Sequence, residues 1–257
     1  MMGNLIKAEL KKMFFLKSSQ VYILTLILLS LVMGLIFSLT TNVTQGKTIV
    51  ELSSMDVLSA NMLGVDLANI MLIIFTAISI AMEFSTNLIN VSLVITPRRR
   101  EFYLGKLITF FLISTVISLA VVILAYLASQ MILTANEMPR VSFQDSAVRR
   151  FVFGIMVMPI FYTIITVAAA FLLNSSAGAI IFSFGIMVLP ALIKMFSNTV
   201  QRIFLPIFPQ SAIHNLSGLV KEGSAESLGI IGSICLLLAW IIVTSITAII
   251  KFQKQDI

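Results

Sequence analysis

Residues 83–106 read EFSTNLINVSLVITPRRREFYLGK, and an apolar run of membrane length lies on each side of this stretch. A helix needs about 20 apolar residues to cross the hydrocarbon core of a bilayer, so each flanking run predicts a membrane span. Between the two runs, the residue before Pro97 avoids helical backbone angles, and three arginines follow at once. The stretch therefore predicts a charged turn at one membrane surface.

The composition places the whole chain in a bilayer. Hydrophobic residues make up 59% of the 257 residues, charged residues make up only 11%, and the mean hydropathy is +1.07. Soluble domains carry about 25% charged residues, so a soluble globular fold is excluded. We expect one transmembrane domain over residues 1–257. The net charge of +6 does not indicate nucleic acid, because in a membrane protein the placement of basic residues matters more than their sum.

Six apolar runs predict six spans, and each must be helical because backbone groups in hydrocarbon have no other hydrogen-bond partners. The first run is too long for the core of a signal peptide and lacks a cleavage site after it, so we expect it to be retained. The predicted fold class is therefore an all-α membrane protein with six transmembrane helices. The predicted spans cover residues 21–39, 64–84, 107–130, 151–173, 177–196 and 228–250.

Basic residues predict the orientation of the spans. With the N-terminus inside the cell, ten of the 17 lysines and arginines fall on the inner side and seven on the outer side. Both termini are therefore predicted to be cytoplasmic. Residues 3–19 place Ile6, Leu10, Met13 and Phe14 on one helical face with lysines nearby, which predicts an N-terminal interfacial helix. The alternative is a plain basic flank that only fixes the orientation.

Four prolines mark candidate gate or hinge positions. The segment 197–227, between spans five and six, is too apolar for a solvated loop and is broken by Pro206 and Pro209. We expect an outer hairpin there that dips into the outer leaflet, with protein or water around it. Pro159 and Pro190 fall inside spans four and five, where each removes a backbone donor and bends its helix.

The chain lacks the motifs of an enzyme. Gly46-Lys47-Thr48 matches the last residues of a P-loop, but Thr41 stands where the first glycine belongs, and the segment lies in an outer loop. The single histidine, His214, excludes an H-E-x-x-H metal site and is interpreted as an interfacial polar residue rather than a catalyst. We therefore expect no catalytic, metal or cofactor site in this chain.

Charge inside the predicted spans is scarce. Spans one, three and six carry none in their interiors, and Glu83 and Lys194 lie near span ends, where we expect them to reach water by snorkelling. A proton-coupled transporter is expected to hold a buried carboxylate in the membrane. The apparent lack of one argues against transport coupled to ions.

The connection between spans two and three predicts a coupling segment over residues 85–100. Residues 84–95 are expected to continue as a short helix, with Asn87 and Asn90 on one side, until Pro97 stops it. A basic triplet follows that could contact phosphates or an acidic partner, and the alternative is that it only sets the topology. The triplet consists of Arg98, Arg99 and Arg100.

This stretch resembles the segment between the second and third spans of ABC-2 type permeases. That family carries a glutamate at the end of span two, an apolar stretch, a proline with basic residues, and a lysine that opens span three. The six spans, the N-terminal helix, the inner termini and the hairpin before span six also fit. The glycine often found soon after the glutamate is missing, and Ser85-Thr86-Asn87 stands there instead. The matching positions are Glu83, Pro97, Arg98, Arg100 and Lys106.

The resemblance implies the transmembrane subunit of an exporter in the bacterial cytoplasmic membrane. Two permease copies, identical or different, would form the pathway, and cytosolic ABC ATPases that bind ATP and Mg²⁺ would drive it. The resemblance also implies that the coupling segment docks into the ATPase. The implied coupling residues are Glu83, Asn87, Asn90, Pro97, Arg98, Arg99, Arg100 and Lys106.

Within this family, the small size and apolar spans are similar to the peptide exporters and bacteriocin-immunity permeases of Gram-positive bacteria. The exporters of amphipathic phenol-soluble modulins are one example. An amphipathic peptide in contact with the lipid bilayer is the substrate that this likeness implies. The alternative is a non-transporting immunity or sensor subunit that binds a peptide at its outer face.

Overall fold

The computed structural model describes residues 2–41, 46, 48–95, 98–220 and 223–254, without the side chains of residues 2, 90–92 and 95. The regular structure of these residues is entirely helical, and six of the helices are long and apolar enough to span a membrane, so the predicted fold class is confirmed.

The ten helices among the described residues are given next, and the six that are long enough to span a membrane are α2, α3, α5, α6, α7 and α10. The helices are α1 (Met2–Phe15), α2 (Lys17–Leu39), α3 (Ser54–Ser85), α4 (Leu88–Ile95), α5 (Arg99–Ala135), α6 (Ser146–Leu173), α7 (Ser176–Ile193), α8 (Asn198–Phe204), α9 (Pro209–Leu216) and α10 (Gly229–Lys254), and two 3₁₀ turns cover Ile49–Glu51 and Leu205–Ile207.

Two of the six spans extend well beyond their apolar runs. α3 has 32 residues and α5 has 37, which makes them about 48 Å and 55 Å long at 1.5 Å per residue. The hydrocarbon core is about 30 Å thick, so both helices project beyond it. The predicted spans two and three are shorter than α3 and α5 because hydropathy marks only the part of a helix that contacts lipid. The helix itself begins where its first N–H groups are capped, which can lie outside the lipid. For α3 the cap is Ser53, whose Oγ accepts from the N–H of Asp56 at 3.2 Å.

α6 lies at the centre of the bundle and packs against α3, α5, α7, α9 and α10. Every residue from Phe161 to Phe171 is buried, so this part of α6 is surrounded by protein rather than lipid. Asn174 ends the helix in the left-handed region, at φ 51°, and α7 then runs back beside α6. Pro159 and Pro190 lie inside α6 and α7 as predicted, and their hinge role stays a prediction.

The first and the last described helices, α1 and α10, come together at one end of the bundle. α1 packs against α5, and Arg99, at the start of α5, donates to the carbonyl oxygen of Phe252 near the end of α10 at 2.8 Å. We call this the termini end. The segment that joins α7 to α10 lies at the opposite end.

α1 ends at Phe15, earlier than the predicted 3–19, because Leu16 leaves helical angles with ψ 115°. Met13 is buried in the bundle, whereas Phe14 is 53% exposed, so the predicted apolar face is divided between the two environments, and the interfacial position of α1 stays a prediction. Glu9, one helical turn before Met13, is buried as well. The face that α1 turns toward the bundle is therefore partly acidic, which its apolar spacing did not indicate.

The segment between α7 and α10 is a series of short helices rather than an irregular hairpin. Pro206 and Pro209 stand in the first turns of the second 3₁₀ turn and of α9, where a missing N–H breaks no helical hydrogen bond. α9 packs against α6, α7 and α10, with Ala212 and Ile213 buried. Protein therefore surrounds this part of the segment, as expected for non-continuous helix near a membrane.

α2 and α3 cross at very short range through two glycines. A Cβ built on Gly64 would lie 2.2 Å from the carbonyl oxygen of Ser30, and one built on Gly34 would lie 2.5 Å from that of Asn61. The short approach lets Ser30 Oγ donate to the Gly64 carbonyl oxygen at 2.6 Å. From the same region, Asn61 Nδ2 donates to the carbonyl oxygen of Ala125 at 2.7 Å, which ties α3 to α5. In lipid the hydrophobic effect does not drive helices together, so close backbone packing and interhelical hydrogen bonds of this kind hold them instead.

Candidate functional site

A buried ion-pair network lies at the termini end, with Lys106 at its centre. Lys106 Nζ lies 2.6 Å from Glu83 Oε1 and 2.7 Å from Glu9 Oε2. Lys12 Nζ lies 2.6 Å from the same Glu83 oxygen. Lys106 is 1% exposed, Glu83 is 4% exposed and Glu9 is 8% exposed. We call these four residues the termini-end network.

Three helices bring these charges together. Glu83 lies at the end of α3, Lys106 lies in the second turn of α5, and Glu9 and Lys12 lie on one side of α1. Two acids and two bases make the network neutral overall, which is the condition under which charges tolerate burial. The network therefore pins α1 to the two longest spans.

A cluster of aromatic rings packs beside Lys106 at the centre of the network. Lys106 Nζ lies 5.6 Å from the ring centroid of Phe102. The Phe171 ring contacts those of Tyr103 and Phe252, with centroid distances of 5.1 Å and 5.0 Å, and Phe84 contacts Phe171 at 5.5 Å. The rings shield Lys106 from solvent, whereas Glu83 and Lys12 also line an open cavity of about 490 Å³. Removing one partner of a buried ion pair is strongly destabilising, because it leaves the other charge uncompensated.

The prediction that Glu83 reaches water by snorkelling is wrong. The end of α3 lies beneath α1 and α5, and the carboxylate is paired there with two lysines. The assumption that the spans hold no buried carboxylate is wrong for the same reason. Lys194 does stay 44% exposed at its side chain, and its ammonium pairs with Glu226 at 2.7 Å.

Lys12 is the exposed edge of the network. Its side chain is 40% exposed, whereas the three other members are buried. Partial burial pulls the pKa of the Lys12 amine down, but the hydrogen bond and charge of Glu83 outweigh it and raise the pKa above its ordinary value. Lys12 therefore stays charged at neutral pH.

A sharp turn links the network to the coupling segment. Asn87 is exposed and sits in the left-handed region at φ 55°, which asparagine tolerates better than most residues. It supplies the geometry that a glycine would give at this position. The predicted helix over 84–95 is interrupted here, and α4 covers only Leu88–Ile95. The side chain of Asn90 and the whole of Pro97 lie outside the described residues.

The arginine triplet divides into two roles. Arg99 donates to the carbonyl oxygens of Phe252 at 2.8 Å and Gln253 at 3.3 Å, so it caps the last turn of α10. The side chain of Arg98 is 80% exposed and pairs with Glu101 at 2.8 Å, and Arg100 is exposed. Only Arg98 and Arg100 are thus presented outward.

A second polar cluster lies at the opposite end. Glu226 Oε1 lies 2.7 Å from Lys194 Nζ, and Glu226 Oε2 lies 3.8 Å from His214 Nδ1. His214 Nε2 and Gln210 Nε2 are 3.0 Å apart, and Tyr162 donates its hydroxyl to Gln210 Oε1 at 3.0 Å. Sequence analysis treated His214 alone and missed its partners, because they come from four separate segments.

The Glu226 contacts predict a pH-dependent stability. Burial raises the pKa of this carboxyl, but His214 and Lys194 outweigh it and hold the pKa below its ordinary value. A lowered folded pKa means that the contribution is complete above the unfolded pKa of about 4.3 and is lost as the pH falls through the folded value. We expect Glu226→Gln to lower the free energy of unfolding by about 1 kcal/mol at pH 7. This gap in stability between the variant and the native protein should close below about pH 4.3.

Thermal unfolding in detergent between pH 3 and pH 7 measures this gap. The matched control is Glu137→Gln, because Glu137 is exposed and has no ion pair among the described residues. The control should show no gap that depends on pH. A gap for Glu226→Gln that persists unchanged at pH 3 would contradict the prediction.

Comparison of the chain with protein-family models and with curated proteins finds no match in either.

Proposed function

We propose that this chain is the transmembrane subunit of an ATP-driven exporter whose ATP hydrolysis takes place in a separate cytosolic ATPase. The observation that carries the proposal is the termini-end network, which joins α1, α3 and α5 directly behind a short surface helix. On that helix, α4, Leu88 is 49% exposed and Val94 is 83% exposed. These two exposed apolar residues, together with the exposed Arg98 and Arg100 that follow them, form a surface that a soluble partner can bind.

The proposed mechanism is mechanical. ATP and Mg²⁺ bind to the partner, whose closure moves α4 together with Arg98 and Arg100. Because Glu83 and Lys106 are joined inside the protein, α3 and α5 follow as one unit with α1. ATP binding then favours one of two arrangements of the spans by its different affinity for them. Two permease copies in the bacterial cytoplasmic membrane, with cytoplasmic termini, complete the pathway.

Purification with a partner tests the proposal. An ATPase with a P-loop that is encoded beside this gene should co-purify with the chain, and its ATPase rate should rise on reconstitution. Vesicles that contain both proteins should move a labelled amphipathic peptide only when ATP is present. The control is the same assembly with the P-loop lysine of the ATPase replaced. Peptide binding without ATP-dependent movement would favour the alternative, an immunity or sensor subunit.

The outward arginines give a more specific prediction. Arg98→Glu combined with Arg100→Glu should weaken binding of the ATPase at least tenfold, or about 1.4 kcal/mol, because two attractive charges become repulsive. Arg99 is left unchanged because it caps α10. The matched control is Arg140→Glu, an exposed arginine at the opposite end. ATPase binding is measured by titration in nanodiscs.

Topology is checked in the same variants, because charge reversal on the inner side can reorient spans. Protease accessibility of a tag at each terminus should match that of the native protein. Unchanged ATPase binding in a correctly oriented double variant would remove the two arginines from the docking surface.

A further inference from the structure

A cavity of about 250 Å³ lies at the opposite end, between α3, α6 and α9. Asp66 of α3 lines it, together with Gln210 and His214 of α9. Asp66 and Glu83 are 17 positions apart on α3, or about 25 Å along its axis. The cavity is thus separate from the termini-end network.

The Asp66 carboxylate makes no close polar contact within the described part of the chain, and His214 acts on it only through its charge. Among the described residues it makes no hydrogen bond and no ion pair, although it lies inside an apolar span and is only partly exposed. Two basic groups of that end, Lys194 and His214, contact Glu226 rather than Asp66. A carboxylate inside a membrane-spanning helix that forms no ion pair is costly to keep and marks a candidate site.

His214 acts on Asp66 through its charge, but its ring makes its closest polar contacts with other residues. The Tyr162 hydroxyl donates to Gln210 Oε1, so the Gln210 amide donates to His214 Nε2. The other ring nitrogen, Nδ1, faces Glu226 Oε2 at 3.8 Å. The ring is therefore occupied by the Glu226 cluster.

The polar wall of the cavity is rich in acceptors and poor in donors. Ser59 gives its hydroxyl proton to the carbonyl oxygen of Asp56 at 2.9 Å, and Ser217 gives its own to that of His214 at 3.0 Å. Each serine oxygen keeps lone pairs that remain free for a ligand. Together with the Asp66 carboxylate, the wall offers acceptors and a negative charge, which match an ammonium group with its three donors.

The size and the apolar wall limit the ligand further. Pockets for drug-sized ligands start at about 300 Å³, so this cavity takes one side chain or one small amine rather than a folded peptide. Met62, Phe151 and Ile155 also line the cavity and provide apolar surface for a short hydrocarbon stem. We propose that the cavity binds a primary ammonium group on a short alkyl stem. The group belongs to a free amine or to a lysine side chain of a peptide, and only the second source rests on the proposed function.

Binding of n-butylammonium to the full chain in nanodiscs at pH 7.5, without ATPase or ATP, tests the site. We expect a Kd of about 1 mM by ligand-detected NMR, in keeping with so small a ligand. The neutral analogue n-butanol should bind at least tenfold more weakly. Asp66→Asn should weaken the binding of n-butylammonium at least tenfold. The control Asp145→Asn, at the N-cap position of α6, should leave this affinity unchanged.

A stability measurement separates a binding site from a structural role. Asp66→Asn should unfold at the same temperature as the native protein or higher, because it removes a largely desolvated carboxylate that forms no hydrogen bond or ion pair among the described residues. A large drop in that temperature overturns the proposal. Equal affinity of native protein and Asp66→Asn for n-butylammonium, or equal binding of n-butanol, overturns it as well.

Two further arms identify the source of the cation. A lysine-containing amphipathic peptide should bind more tightly than its norleucine analogue if peptides use the site, and equal binding of the two assigns the site to free amines. Lys221 lies outside the described residues, and Lys221→Met should leave the affinity unchanged. A rise in affinity in that variant would show that the chain fills its own cavity, which overturns the proposal. Because ATPase and ATP are absent, failure here leaves the transport test unaffected.

Discussion

Lys106→Met is expected to destabilise this protein by about 3–5 kcal/mol, because it removes the central cation between two buried carboxylates. Glu9 would lose its ion pair and keep only the more distant charge of Lys12, and Glu83 would keep its ion pair with Lys12. By the scaling for proteins of this size, the loss lowers the unfolding temperature by roughly 10 °C. Size-exclusion chromatography after heating in detergent measures it. Lys11→Met, an exposed lysine of α1, is the matched control and should change little.

A second variant shows whether the loss comes from the stranded charge. In Glu9→Gln combined with Lys106→Met, the remaining Glu83 and Lys12 still form a neutral pair. We expect at least half of the lost stability to return. No recovery would mean that packing of the lysine stem, rather than charge balance, sets the effect. If the double variant folds but no longer responds to the ATPase, the network transmits motion as proposed.

Gly64→Ala is expected to have the second large effect, because its new Cβ would lie 2.2 Å from the backbone oxygen of Ser30. Backbone cannot move aside as a flexible side chain can, so α2 and α3 must separate. The separation breaks the buried hydrogen bond from Ser30 Oγ to Gly64. Overpacking of this kind costs about 1–3 kcal/mol, and the lost hydrogen bond places Gly64→Ala at the top of that range.

The control for this prediction is another helical glycine. A Cβ on Gly185 of α7 meets nothing within 4 Å. Gly185→Ala should therefore be neutral or slightly stabilising, because alanine favours the helix by about 1 kcal/mol. Both variants are compared by thermal unfolding in the same detergent. Equal stability of the two would refute the close α2–α3 crossing.

Hydropathy predicts the six spans and their order well, since lipid contact is what it measures. It misses the true lengths of α3 and α5, whose ends depend on caps and on contacts outside the lipid. Glu83 and Lys106 could be singled out from the local pattern between two spans. Glu9 could not, because a glutamate one turn from Met13 is usually interpreted as part of a solvated face.

Asp66 was within reach of sequence analysis and was overlooked. A single carboxylate inside an apolar run is itself a signal of a site, whatever its neighbours are. The split of the arginine triplet was out of reach, because it depends on where α10 ends in space. The same holds for the crossing at Gly64, since a lone glycine in a span does not reveal which backbone approaches it.

The termini-end network also sets an order of assembly during synthesis. Lys12 and Glu9 leave the ribosome early, but the lysine that holds Glu9 in place follows about 95 positions later. At about 5–20 residues per second, α1 waits roughly 5–20 s before it can dock. During that interval its lysines are free to rest on the lipid headgroups. α1 is thus made before α5 but cannot reach its final place until α5 has followed it.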